Sequence, residues 1–375
     1  MIYFDNAATG GYKPNAVLNK VIYTLKNLNA NAGRSGHKLS KLGGQIIYEA
    51  RRELSNFFNN GQVEKVIFTK NCSEALNTAI YGLVKQGDHV ITTVFEHNSV
   101  LRPLFTLEQK GVIKLSIISP KNNSFITKSD VENAFQENTK LVVVNHASNV
   151  TGTINQIEEI GEFLKDKNAT FLVDGAQSAG HIKIDMQKYN IDALSIAGHK
   201  GIYGIQGSGA LIFNEKTEVI DSFQGGTGTE TFNSLQPIFY PERLEYGTLN
   251  LPAITSLLEG VKYVKNGLNI ISNTLLDYTE ILINELKNID GVKVYSNKNE
   301  CGIVAFLIDD VPSTEVAEML SSKYDICVRG GFHCAPLMHK FLESSDSGLV
   351  RASLSPHNTK NEIYTLINAV KNMAK

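Results

Sequence analysis

Two side chains in this sequence stand where covalent chemistry is possible. Lys200 lies in "SIAGHKGIYGIQGSGALIF", after a strand-like run and inside a glycine-rich stretch. A lysine amine can form a Schiff base with a carbonyl, given a confined site and room for a planar partner. Gly198, Gly201 and Gly204 would leave that room, while the plain alternative is a surface lysine in a loop. Cys334 lies in "VRGGFHCAPLMH", among glycines, two histidines and an arginine. It is a spare thiol, a metal ligand or a nucleophile, and nothing local decides which. The other cysteines are 72, 301 and 327; no C-x-x-C pair occurs, so neither zinc-finger spacing nor a disulfide framework is present.

Further residues have types that suit a bound cofactor. Asp174, in "FLVDGAQSAG", ends a run of buried character, where a carboxylate is costly unless paired. Its partner could be a protonated pyridine nitrogen, as in enzymes using pyridoxal 5'-phosphate (PLP), or it caps the following turn. Strand ends are also where α/β sheets bind ligands. "TKNCSEALN" offers a helix start with Ser73 in its first turn. Such a start presents N–H groups to a phosphate, and equally it is plain capping. His97, in "FEHNSV", could stack on a planar ring, shuttle a proton or be structural. Arg351, in "GLVRASLS", is either a carboxylate reader inside an apolar strand or an edge residue facing water. The glycines at 204, 207, 209, 225, 226 and 228 do not form G-x-G-x-x-G, which argues against a dinucleotide fold.

The elements that must position these groups follow from periodicity. Residues 65–69, 89–95, 113–119, 140–148, 170–176, 192–198 and 209–213 read as strands, several of them continuous Val/Ile runs typical of strands buried on both faces. Between them, Ala75, Leu76, Ala79, Ile80, Leu83 and Val84 form one helical face, as do Ile157, Ile160, Phe163 and Leu164. This alternation predicts an α/β domain on a mostly parallel sheet. Residues 252–289 are largely helical in pattern. Then come "VKVYS", "GIVAFLIDD", a helix near 313–323, "GLVRASLS" and an amphipathic helix at 359–373, which together suggest a smaller α+β domain.

The 375 residues exceed what one core usually serves, so two domains are expected. A formal net charge of −2 and scattered lysines argue against nucleic-acid or membrane-surface partners. No apolar run has membrane-spanning length. The start, with an acid at position 5, does not read as a secretory signal, so the cytoplasm is the expected location.

In order along the chain, "YFDNAATG", "NCSEALN", "EHNS", "SNVTGT", "VDGAQSAG", "SIAGHKGIYG", "LEYGTLN", "RGGFHCAPL" and "VRASLSPHNT" resemble the cysteine desulfurase/selenocysteine lyase family. These are fold-type I PLP enzymes related to the class V aminotransferases. The resemblance implies a large PLP-binding domain over 13–262, with 1–12 and 263–375 forming a small α+β domain that carries the cysteine loop. It implies that Lys200 holds PLP covalently, that Asp174 pairs its pyridine nitrogen, and that Gln177 bonds its ring hydroxyl. His97 would stack on the ring and act in catalysis. Cys72, Ser73, Ser195 and His199 would hold the phosphate, and Thr248 would reach the phosphate of a partner subunit in a homodimer. Asn149 and Arg351 would grip the carboxylate of L-cysteine or L-selenocysteine, and Cys334 would take the sulfur as a persulfide before passing it to an acceptor protein.

Two expectations concern Cys334 itself. Arg329, His333 and Arg351, if near it, would favour its thiolate. The glycines before it would permit a mobile loop. The chain departs from the pattern in three places: Cys72 stands where many relatives have threonine, Phe332 where histidine is common, and one residue fewer separates Cys334 from the next proline. Its start, close to the "DNAAT" motif, resembles a short-N-terminus clade. Within the superfamily, the alternative is an aminotransferase or other PLP lyase in which Cys334 is incidental. A further reading is a non-catalytic protein of the same fold.

Overall fold

The run Leu141-Val142-Val143-Val144 is wholly buried, and its alternate residues enter different cores. Val142 and Val144 join one cluster, Leu141 and Val143 another. Successive side chains of a strand point to opposite faces, so a continuous apolar run belongs in a sheet covered on both sides. The computed structural model describes residues 1–121 and 124–374. It begins with β1 (Ile2–Tyr3), α1 (Asn15–Asn27) and α2 (Lys38–Phe58). The central part is β2 (Val66–Thr69), α3 (Cys72–Leu83), β3 (Asp88–Thr93), α4 (Asn98–Gln109), β4 (Ile113–Ile118) and α5 (Lys128–Ala134). It continues through β5 (Thr139–Asn145), α6 (Ile157–Leu164), β6 (Thr170–Asp174), β7 (Ala193–Ala197) and β8 (Gly209–Phe213).

These seven strands form one sheet in the order β2-β8-β7-β6-β5-β3-β4. Strand β8 runs antiparallel to both neighbours, and the remaining pairs are parallel. The fold is therefore α/β with a mostly parallel sheet. The predicted face of α3 (Ala75, Leu76, Ala79, Ile80) packs against one side, with Leu141, Val143 and Leu172. Leu54 of α2 and Ile160 of α6 lie on the other, with Phe171 and Val173. Full burial of each Leu, Ile, Val or Phe among these is worth about 1.5–3 kcal/mol.

The rest of the chain comprises α7 (Leu251–Lys287), β9 (Val292–Val294), β10 (Ile303–Ile308), α8 (Ser313–Tyr324), β11 (Ile326–Cys327), α9 (Pro336–Phe341), β12 (Val350–Ser353) and α10 (Lys360–Met373). Strands β12-β10-β9 make an antiparallel sheet, and β1 pairs with β11. Ile363, Leu366, Ile367 and Val370 of α10 bury in one core with Leu275 and Leu282 of α7 and Phe306 of β10, as their spacing predicts. The domain boundary expected between 262 and 263 falls inside α7 and not in a linker. Val261 belongs to the sheet's core, and Val264 to a second core with Phe306 and Val316. A 37-residue helix, about 55 Å long, thus crosses from one core to the other. No helix among the described residues is long and apolar enough to cross a membrane.

Gly260 lets α7 lie against the segment that follows Lys200. A Cβ there would clash with the carbonyl oxygen of Ile202 and sit 3.4 Å from Gly204 N. Gly260→Ala should therefore destabilise the protein by about 1–3 kcal/mol, the usual cost of overpacking. Thermal melting measures this, and an unchanged melting temperature would contradict the contact.

Candidate active site

The parallel strands deliver their C-terminal ends to one place. Register pairs Asn145 with Asp174 and Asp174 with Ser195. Asp174 closes β6, and its Oδ1 accepts the Ala176 N–H at 2.9 Å and the Cys72 thiol at 3.4 Å. Lys200 follows β7 by three residues and lines a cavity of about 90 Å³ with Cys72, Ser73, His97, Asn149, Asp174, Gln177 and His199. A roomier cleft, about 860 Å³, lies elsewhere, among Lys85, Asp88, Lys140 and Glu215, and holds none of the candidate residues. Chemistry, not volume, identifies the site.

The cavity biases both of its ionisable poles toward neutrality. Burial raises the Asp174 pKa, and the Ala176 N–H and the Lys200 charge offset this only in part. Burial lowers that of Lys200, with Cys72 and Asp174 pulling weakly the other way. Desolvation thus makes the amine less basic and the carboxyl less acidic than they would be in water.

Helix α3 begins at Cys72. Its Asn71 cap accepts the Glu74 N–H at 2.9 Å. The first N–H groups of a helix have no partner within it, so those of Cys72 and Ser73 suit an anion in the cavity. Ser73 Oγ meets Ser99 Oγ at 2.6 Å, and Ser99 Oγ meets His97 Nδ1 at 2.8 Å. His97 caps α4 and accepts the Ser99 N–H on Nδ1 at 3.0 Å. This leaves the ring's hydrogen on Nε2 in the neutral form. Burial, with help from the Lys200 charge, lowers its pKa to about 4. His199, bonded through Nδ1 to Thr9 Oγ1 at 3.1 Å, is also lowered to about 4, by burial and then by Lys200 and Lys13. Gln177 Nε2 donates to Ala7 O at 3.1 Å. The His199 carbonyl accepts Gly10 N–H at 2.9 Å and Lys13 Nζ at 3.2 Å. The N-terminal segment thus clamps the backbone just before Lys200. Sequence reasoning gave Asp5, Thr9, Lys13, Ser99 and Asn145 no role, although "DNAATG" was among the motifs that carried the resemblance.

Arg351 is fully buried in β12 and does not face water. Its Nη2 pairs with Asp5 Oδ1 at 2.9 Å and its Nη1 donates to Asn149 O at 2.9 Å. Asn149 Nδ2 in turn donates to His333 O at 2.7 Å. The next residue, Cys334, is exposed. Both His333 (φ +48°) and Cys334 (φ +58°) have left-handed backbone, which points the turn outward. The Cys334 carbonyl accepts Asn98 N–H at 2.7 Å, docking the turn on the start of α4, beside His97.

Four expectations need correction. The segment around Cys334, expected as a mobile loop, is a turn tied at several points: Asn98, Asn149 and the Gly331–Leu349 backbone pair hold it, and Gly330 packs against the Ser313 backbone. His333 contributes no positive charge, because burial lowers its pKa to about 2 while its Nε2 bonds Leu349 O at 3.0 Å. Arg351 is engaged by Asp5, and Arg329 is exposed, linked to Arg351 only by a backbone bridge. Ser195 is fully buried with an unpartnered Oγ, but it does not line the cavity; Ala197, two residues along the same strand face, does. Thr248 lies outside this cavity, exposed in a separate cleft with Lys70 and Ser208. Neighbouring Glu245 anchors that segment by accepting Phe68 N–H at 2.7 Å and pairing with Arg51.

An amine, a buried carboxylate, a helix start and two neutral imidazoles around one cavity fit a planar aldehyde bearing a phosphate. The family model for class-V aminotransferases matches residues 2–366. The chain belongs to the class-V aminotransferase family. It is 33% identical to a "Probable cysteine desulfurase" of Pyrococcus abyssi, over 100% of this chain and 94% of the relative. Another of that name, from Methanothermobacter thermautotrophicus, is 32% identical over 100% and 94%. The apo structure of a cysteine desulfurase from Thermococcus onnurineus superposes with a TM-score of 0.90 at 32% identity, covering 100% of this chain and 94% of that one. The family is PLP-dependent, and the residues lining the cavity fit that cofactor. Among the described residues, no group of three or more His, Cys, Asp or Glu side chains is placed to hold a metal.

The shifted groups set the protein's pH response. His97, His146 and His199 stay neutral in the fold down to about 4, whereas unfolded histidines protonate near 6.5, so stability should fall as pH drops from 6.5 to 4. Buried Glu96 acts in the opposite sense. Its pKa is raised to about 8, so its contribution is complete below about 4.5 and is lost as pH rises toward 8. Glu96→Gln should therefore gain stability relative to wild type between pH 5 and 8 in urea unfolding. A pH-independent difference would contradict the burial of an acid there.

Proposed function

We propose that this chain is a PLP-dependent cysteine desulfurase that converts L-cysteine to L-alanine and carries the sulfur on Cys334. One observation carries the reading: an exposed thiol on a turn docked both to the helix start at His97 and to the Asn149–Arg351 pair, beside the cavity of Lys200. If the reaction were amine transfer to a keto acid, that placement would have no use.

In this reading Lys200 would hold the cofactor's aldehyde carbon, Asp174 would pair its pyridine nitrogen, and Gln177 would reach its ring hydroxyl. The Cys72 and Ser73 N–H groups, Ser73 Oγ and His199 hold the phosphate, and His97 covers the ring. Bound PLP would supply an electron sink for charge developing at the substrate Cα. Arg351 and Asn149 bind the substrate carboxylate. Lys200, whose amine burial makes less prone to hold a proton, would hold the Cα proton removed from the substrate. Cys334, as thiolate, would attack the substrate Sγ: an S–S bond forms, the Cβ–Sγ bond breaks, Cβ takes a proton, and Lys200 returns the proton to Cα to give alanine. The persulfide then passes its outer sulfur to an acceptor protein. L-Selenocysteine is a second substrate of the same geometry.

Residues 13–262 are the cofactor domain and 1–12 with 263–375 the smaller one; the change of core partway along α7 supports that division. Thr248 serves a partner subunit's phosphate in a homodimer, in keeping with its position outside its own cavity. The four unpaired cysteines suit the reducing cytoplasm.

Lys200→Ala should abolish the visible absorption of the PLP-loaded protein. Cys334→Ser should keep the colour, lose sulfide release from L-cysteine with a thiol reductant, and retain part of its L-selenocysteine turnover, because a selenol is more acidic. A wild-type rate of sulfide release in the Cys334 variant would overturn the proposal.

A further inference from the structure

We infer that Asn149 is a positioning residue for Cys334, so that one amide nitrogen sets both the substrate carboxylate and the nucleophile's turn. The inference rests on the desulfurase reading and adds a link between two parts of it.

The link is visible atom by atom. Asn149 is 7% exposed, and its Nδ2 donates to the His333 carbonyl, one peptide unit before Cys334. An amide nitrogen carries two hydrogens. A single carbonyl takes one, and Asn149 lines the cavity where the other is needed. The Oδ1 of Asn149 is buried without a partner, and so is the Nε of Arg351. A carboxylate accepts only, so it cannot bond Oδ1. It must be met by the second hydrogen of Nδ2 and by the guanidinium, which already donates to the Asn149 carbonyl.

The consequence is mechanical. A substrate carboxylate seated on Asn149 immobilises the same side chain that holds the His333–Cys334 turn, where two consecutive left-handed residues need external ties to persist. Occupying the carboxylate site therefore stiffens the turn. Losing the amide loosens it even with substrate saturating.

Hydrogen–deuterium exchange and steady-state kinetics on the PLP-loaded protein test this together. In Asn149→Ala, exchange of the 331–335 amides should quicken roughly five- to tenfold, the effect of one lost hydrogen bond, with exchange in β5 and β6 unchanged. Saturating L-alanine, its binding followed by the change in visible absorption, should slow exchange at 331–335 in the wild type and not in the variant. With L-cysteine the variant should show both a raised KM and a kcat several-fold lower. A residue that only reads the carboxylate would raise KM alone. A raised KM with unchanged kcat and unchanged exchange overturns the inference. Should the variant fail to fold, wild-type exchange that ignores bound L-alanine overturns it equally. Exchange needs no sulfur transfer, so a wild type that binds L-alanine and stiffens but releases no sulfide would sink the desulfurase reading and leave the positioning role of Asn149 standing.

Discussion

The structure depends on burying an amine and a carboxylate together at the ends of parallel strands. Asp174 and Lys200 sit on neighbouring strand ends, and desolvation pushes each toward neutrality more than their attraction holds them charged. Such a pair is a cost to the fold when nothing else is bound. In the proposed reading it would become an asset, with a cationic ring nitrogen and an aldehyde carbon taking up the two poles. The sheet bears this cost because its strands are apolar on both faces, and the helices that cover it leave only the strand ends open.

Around that pair, three chain segments far apart in sequence are tied by hydrogen bonds. The N-terminal segment holds the His199 carbonyl and, through Asp5, the Arg351 guanidinium. Arg351 holds the Asn149 backbone, and Asn149 holds the turn of Cys334. Arg351 and the turn of Cys334 are thereby tied together through Asn149, which lines the cavity. Because these contacts are directional and buried, a small displacement at either end is felt at the other.

Much of this was legible in the sequence. The Val/Ile runs gave the sheet, since only a two-sided layer can bury consecutive apolar residues. Asp174 and Lys200 stood out because their types are costly or reactive at the ends of such runs. Arg351 inside an apolar strand suggested an anion, and its carboxylate partner here is the half-buried Asp5 of the chain itself. What escaped was three-dimensional. Spacing could not tell that Ala197 rather than Ser195 faces the cavity, since both lie on the same side of β7 two residues apart. Glycines 330 and 331 suggested mobility, but they are there for close packing against Ser313 and for a tight turn at φ +107°. His333 looked like a cation beside the thiol, and only its burial makes it neutral. The ties made by residues 5–13 join positions hundreds of residues apart, which no local pattern encodes.

Borohydride reduction of the PLP-loaded protein, followed by peptide mapping, tests the central claim most directly. The account predicts the pyridoxyl phosphate mass on the peptide carrying Lys200 and on no other lysine. Its appearance on a different lysine, or on none, would contradict the assignment of the buried amine as the cofactor's anchor.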